Sequence, residues 1–140
     1  MAWVGADPAR QLAARAVVAD DSVAIVRAIL GWCDADEADL VLTTGGTGLS
    51  PRDLTPEATR AALDRVAPGI SERMRVVELE RFPRAALSRG VAGVRGRTLV
   101  VNLPGSPGGV RDALAALDPV IAHAVAIARG APTDHSPAVP

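Results

Sequence analysis

Two apolar runs in this chain lead straight into glycine-rich turns, and that arrangement limits the folds open to it. Leu40–Thr43 enters Thr44–Gly48 (TGGTG), and Thr98–Asn102 enters Leu103–Gly109 (LPGSPGG). Apolar runs this short read as strands buried on both faces, the habit of parallel sheets. Helical spacing surrounds them. Ser22 or Asp21 can cap a helix carrying Val23, Ile25, Val26, Ile29, Leu30 and Cys33. Thr55 as N-cap, Pro56 at the first helical position and Glu57 in the first turn start a second. Ile70–Leu79 reads as a third after the Pro68-Gly69 break, and Val110–Leu117 as a fourth. Asp118-Pro119 then caps and starts a last helix ending at Gly130. Val17–Ala19 reads as a strand leading into Asp20 and Asp21, and Leu87–Val94 as partly strand. Strands alternating with helices predict an α/β domain with a mostly parallel sheet, whose ligands bind at the carboxyl ends of the strands. If the two apolar strands are neighbours, both turns open on one crevice.

Composition narrows the chemistry. At 140 residues there is material for one core, and 49% hydrophobic residues with 22% charged ones is globular rather than disordered. The expected domain is 1–130, with a Pro-rich loose tail at 131–140. Trp3, Trp32 and Phe82 are the only aromatics, so Val, Leu, Ile and Ala must build the core. All fifteen basic residues are Arg, which excludes a lysine-dependent phosphate loop and Schiff-base catalysis. A net charge of −1 without stacking aromatics argues against nucleic acid as a partner. Cys33 stands alone, so it is expected to be a small core residue, not part of a disulfide or a cysteine metal cluster. No apolar run approaches the ~18 residues of a membrane span, and the N-terminus has no signal-peptide pattern. A cytoplasmic protein with no membrane partner is expected.

The densest segment is Leu42–Arg60, LTTGGTGLSPRDLTPEATR. Gly45, Gly46 and Gly48 with Thr44, Thr47 and Ser50 offer backbone N–H groups and hydroxyls to one anion. Asp53 is either a turn residue paired with Arg52 or a magnesium ligand, because Mg²⁺ is commonly held by one or two carboxylates together with substrate phosphates. Asp20 is its natural partner, with helix capping as the alternative and Asp21 competing for either task. In the second turn, Asn102, Pro104, Gly105 and Ser106 make either a rigid connection or a wall on which a flat ring such as a purine or pterin can lie. Ser88 and Arg89 add a hydroxyl and a guanidinium suited to phosphate, or a solvated surface pair. His123 reads as packing or surface, and His135 as solvated tail.

TTGGTGLSPRDLTPEAT and LSRGVAGVRGRTLVVNLPGSPGGVRDAL, with their spacing, resemble the molybdopterin adenylyltransferases, the MogA/MoaB-like proteins and gephyrin-type G domains, over about Val17–Gly130. The resemblance implies a three-layer α/β/α fold and a homotrimer. It implies Mg²⁺-dependent adenylylation of molybdopterin by ATP, with release of pyrophosphate and delivery of the product to a MoeA-like molybdenum-insertion enzyme. It matches Asp20 and Asp53 to the family's functional carboxylates, and Gly45, Gly46, Thr47 and Gly48 to its glycine loop. Pro104, Gly105 and Ser106 match its second turn, and Ser88 a serine on the pterin side.

Family members carry a further strand, a Ser-Asp loop and a full helix at the start, and Met1–Gly5 looks like the end of that helix. Either the start of the chain is set too late, or the protein is a degenerate, non-catalytic molybdopterin-binding or scaffold protein. With that first strand missing, the chain is expected to expose unpaired strand edges and to be poorly soluble. A monodisperse, cooperatively melting sample of the 140-residue chain would overturn this expectation.

Overall fold

The computed structural model describes residues 2–133, so most of the expected tail, His135 included, lies outside the described residues. The chain runs α1 (Ala2–Gly5), α2 (Ser22–Asp34), β1 (Leu40–Thr44), α3 (Thr55–Ala62) and β2 (Arg65–Val66). Then come α4 (Pro68–Leu79), a 3-10 turn (Pro83–Leu87), β3 (Ala92–Arg95), β4 (Thr98–Leu103) and α5 (Pro107–Ala128). The strands lie in the order β1-β4-β3-β2.

Strand β4 is the centre of the sheet, and all six of its residues are buried. Its side chains alternate between two cores. Leu99, Val101 and Leu103 face Met74 of α4 and Ala113, Leu117 and Ile121 of α5. Val100 faces the other way, onto Ile29 and Cys33 of α2 and Ala62 of α3. The three-layer α/β/α arrangement follows. The sheet is mixed: β1 pairs with β4 in parallel, whereas β3 pairs antiparallel with β4 and with β2. Only Gly96 and Arg97 separate β3 from β4, and so short a link permits a hairpin but no crossover. Parallel pairing is therefore confined to the strands that enter the two glycine-rich turns.

Several expectations change. Val17–Ala19 forms no strand; it is exposed throughout, Val17 by 94%, so its β-branched residues pack against nothing. The outer edge of β1 carries no partner strand among the described residues. Asp21 caps α2, its carboxylate accepting from the Ala24 N–H at 2.9 Å. Helix α3 begins at Thr55, with Leu54 rather than Thr55 in the cap position. Pro68 opens α4 instead of preceding it, and the ambiguous Leu87–Val94 resolves into the end of the 3-10 turn and the start of β3. Cys33 is buried, and burial pushes its thiol above its ordinary pKa, as suits an inert core residue.

The two helices expected at 110–130 are one. Pro119 lies inside α5, where it costs about 3 kcal/mol relative to Ala. Leu117 and Ile121 on either side of it are buried, each worth about 1.5–3 kcal/mol, which outweighs the local cost. Asp118 does not cap: Oδ1 accepts from Trp3 Nε1 at 2.7 Å and from Arg10 Nη2 at 2.9 Å, and so ties the N-terminal segment to α5. Replacing Pro119 by Ala restores the helical N–H and loosens the unfolded chain, so P119A should stabilise the protein by about 1–2 kcal/mol net. Thermal unfolding should show a raised midpoint; a lowered one would mean that the proline geometry is needed.

Candidate functional site

The parallel register sets Thr44 beside Leu103, so both turns leave the sheet at the same end. They then touch. Gly45 N–H donates to Leu103 C=O at 3.3 Å, and Thr44 Oγ1 donates to Pro104 C=O at 2.7 Å. A Cβ on Gly105 would stand 3.3 Å from Gly45 Cα. Two glycines of the first turn are required by close approach. Gly46 has φ +69°, and a Cβ there would collide with Thr55 Oγ1. A Cβ on Gly48 would stand 2.7 Å from Asp53 Oδ2. The turn thus presents bare main chain, which is the means by which backbone N–H groups approach an anion.

The loop is held from within. Asp53 Oδ2 accepts from the Ser50 N–H at 3.0 Å, and Ser50 Oγ accepts from the Arg52 N–H at 3.3 Å. Arg89 does not face a ligand. Its backbone N–H donates to Thr47 C=O at 2.8 Å, Nε to Gly48 C=O at 2.7 Å and Nη2 to Asp53 C=O at 2.7 Å, while Nη1 pairs with Glu57. The guanidinium is used up on the loop's own carbonyls, and its contact holds the Glu57 carboxyl below the usual pKa range. Asn102 is likewise foundation: 1% exposed, it donates through Nδ2 to Thr43 Oγ1 and Thr59 Oγ1, both at 2.9 Å, and accepts from Val91 N–H at 3.1 Å. Ser106 caps α5, with Oγ accepting from Gly109 N–H at 3.1 Å. Thr47 is buried and Arg52 is exposed.

The two aspartates sit at the same end of the sheet. Arg95 Nε bonds Asp34 Oδ1 at 2.9 Å, pinning the carboxyl end of α2 near the amino end of β4. The helix amino end, with Asp20 and Asp21, is thereby directed toward the strands' carboxyl ends, where Asp53 lies. Asp20 occupies an exposed stretch before the helix. No group of three or more His, Cys, Asp or Glu side chains among the described residues could hold a metal alone. Asp53 is the carboxylate the first turn holds, and a cation beside it would take most of its ligands from phosphates, the usual habit of Mg²⁺.

Beside the second turn a cleft opens between it, α4 and the 3-10 turn. Ser88, Pro104 and Ser106 line it, as do Met74, Arg75 and Glu78, which the sequence reading passed over. Arg75 Nη1 fixes one wall, donating to Ser88 C=O at 3.2 Å and Gly90 C=O at 3.1 Å. The available signal was a polar face: Ser71, Arg75 and Glu78 recur at helical spacing around Met74, on the side of α4 that its apolar residues turn inward.

Fold and site together define a three-layer α/β domain in which two glycine-rich turns abut at one end of the sheet, with the Asp53 carboxylate held in the first. The sequence family described as "Probable molybdopterin binding domain" matches residues 5–123. The chain belongs to that family. The molybdopterin adenylyltransferase of Helicobacter pylori strain J99 is 43% identical over 114 residues, covering 81% of this chain and 65% of that protein. The Escherichia coli K12 molybdopterin adenylyltransferase is 42% identical over 98 residues, 70% of this chain and 50% of that protein. The chain thus spans less than two thirds of these relatives. Among solved structures, the molybdopterin biosynthesis enzyme MoaB of Thermus thermophilus is 57% identical, with a TM-score of 0.76 over 81% of this chain and 71% of that one. A MogA structure is 43% identical, with a TM-score of 0.83 over 91% of this chain and 82% of that one.

Burial, and secondarily the nearby Asp112 carboxylate, push the Glu78 carboxyl above its usual pKa. The folded state therefore binds this proton more tightly than the unfolded state, and the group's contribution to stability is lost as pH rises through the raised value. Replacing Glu78 by Gln should raise the unfolding midpoint at pH 7. The difference should vanish below the ordinary glutamate pKa of about 4.3. Denaturant titrations of both proteins at the two pH values check this.

Proposed function

We propose that this protein works in molybdenum cofactor biosynthesis as a molybdopterin adenylyltransferase. Its first turn takes the phosphates of ATP, and the cleft beside its second turn takes the pterin. In this reaction the terminal phosphate oxygen of molybdopterin attacks the α-phosphorus of ATP. A new P–O–P bond forms, the bond from the α-phosphorus to the bridging oxygen breaks, and pyrophosphate leaves. The nucleophile belongs to the substrate, so no activated Ser, Cys or Lys is required, and a chain without lysine is under no handicap. The task of the protein is to bring two polyanions together.

The single observation that carries this reading is the seating of Asp53: a carboxylate fixed by the Ser50 N–H inside a bare glycine turn that is bonded to the second turn. N–H groups of Gly45–Gly48, hydroxyls of Thr44 and Ser50 and the exposed Arg52 would orient the phosphates and meet the charge that develops on them. Asp53 and Asp20 would hold Mg²⁺, which supplies positive charge between the phosphates when bound. Ser88, Pro104, Gly105 and Ser106 would border the pterin. Use of ATP supports a cytoplasmic setting. The outer face of α4 and the segment after it expose Val76, Val77, Phe82 and Leu87, which supports burial against further copies in a homotrimer. The adenylylated product would pass to a MoeA-like insertion enzyme.

Asparagine at position 53 keeps an acceptor for the Ser50 N–H and removes the charge. D53N should lower pyrophosphate release from ATP and molybdopterin by about 10²–10³-fold and leave the melting midpoint near that of the parent. The assay is run with and without Mg²⁺. Unchanged turnover would sink the role of Asp53, and binding of both substrates by the parent chain without pyrophosphate release would favour a molybdopterin-binding scaffold instead.

A further inference from the structure

The cleft beside the second turn contains two polar atoms that the protein leaves unsatisfied. Ser71, Met74, Arg75 and Glu78 lie at i, i+3, i+4 and i+7 along α4 and all line it. Ser71 Oγ and Glu78 Oε1 are buried and have no hydrogen-bond partner among the described residues. A buried polar atom without a partner opposes folding, and two in one cleft call for an explanation. Arg75, the nearest cation along the helix, has Nη1 engaged by Ser88 C=O and Gly90 C=O. Met74, Phe82, Ala85 and Pro104 give the same cleft apolar surface, and Arg84, the other cation in its lining, stands over the Phe82 ring.

The missing partner of a carboxylate must be a donor. A charged donor is disfavoured between apolar walls unless it is itself paired. A flat heterocycle with two adjacent N–H donors on one edge meets all three conditions: it is neutral, it lies against apolar surface, and it can give one N–H to each carboxylate oxygen. The 2-amino-4-oxo-pyrimidine edge of a pterin has that pattern, an exocyclic amino group beside a ring N–H. We infer that Glu78, assisted by the Ser71 hydroxyl, reads the amino-pyrimidinone edge of the pterin and makes the cleft selective for it. The inference rests on the pterin placement proposed above and adds a specificity determinant to it. Glu78 then has a function that offsets its cost: a half-buried carboxyl with one buried, unpaired oxygen weakens the free protein and is satisfied by the ring that enters.

The test uses the full chain and two probes that differ at one position, pterin (2-amino-4-oxopteridine) and lumazine (2,4-dioxopteridine). Lumazine sets a carbonyl oxygen where pterin has its amino donor. Binding is followed by equilibrium dialysis, and the ATP-induced shift of the melting curve reports that each variant is folded. The parent chain should prefer pterin by about 10–100-fold, the range expected when a buried acceptor loses its donor. E78Q, whose amide can donate to the lumazine oxygen, should lose or reverse the preference. S71A should weaken pterin binding several-fold and keep the preference. Equal affinity of the parent for the two rings, or a pterin preference retained by E78Q, would overturn the inference. Molybdopterin-dependent pyrophosphate release with no discrimination between the rings would remove Glu78 as a reader and leave adenylyl transfer standing. Discrimination lost in E78Q, in a parent chain that releases no pyrophosphate, would support Glu78 and remove the transferase reading.

Discussion

Everything at this site depends on the parallel pairing of β1 with β4. Each strand ends in a glycine-rich turn, and a turn of that kind alone is an ordinary chain reversal. Parallel register puts both reversals at one end of the sheet, Thr44 beside Leu103, and lets Thr44 Oγ1 and Gly45 N–H bond across to the second turn. Antiparallel pairing of the same strands would have sent the turns to opposite ends, with no crevice between them. The cores on either face secure that register, because a slip of one residue would exchange Leu99, Val101 and Leu103 for Val100 and Asn102 on the α5 side.

The loop is built by a division of labour between buried polar groups and open main chain. Arg89 takes the carbonyls of Gly48 and Asp53, and Asn102 takes Thr43, Thr59 and Val91. Carbonyl oxygens are thereby turned inward toward donors, so the glycine turn can offer N–H groups to an anion without presenting the repulsive ends of the same peptides. An arginine that reads in sequence as a phosphate binder contributes instead by neutralising carbonyl dipoles beneath the loop.

Much of this was legible in the sequence, and the unreadable part has a physical pattern. The glycine turns, the central strand at 98–103 and the start of the helix after the first turn rest on local chemistry: φ preferences, apolar runs and a proline at a helix start. The errors fall where tertiary context overrode local preference. Val17–Ala19 has strand composition but lies exposed off the sheet, whereas Pro119 has the character of a helix start and lies within α5 because Leu117 and Ile121 are buried around it. The roles of Arg89 and Asn102 were hidden for a similar reason. Nothing local distinguishes a guanidinium that binds phosphate from one that binds two backbone carbonyls and a carboxylate; only the fold decides which set is within reach.

Glu78 shows the same logic from the opposite side. Core-facing positions of α4 favour apolar residues, and a carboxyl there opposes folding through desolvation and through Asp112. Arg89 and Asn102 are polar groups whose partners lie inside the chain, so their burial is compensated and they read as structure. Glu78 Oε1 and Ser71 Oγ are polar groups whose partners do not, although they are buried beside the same turn. Satisfied groups hold the turns in shape, whereas the unsatisfied ones are the part that a ligand can complete, and the proposed division, selectivity on α4 and anion handling on the glycine turns, rests on that contrast.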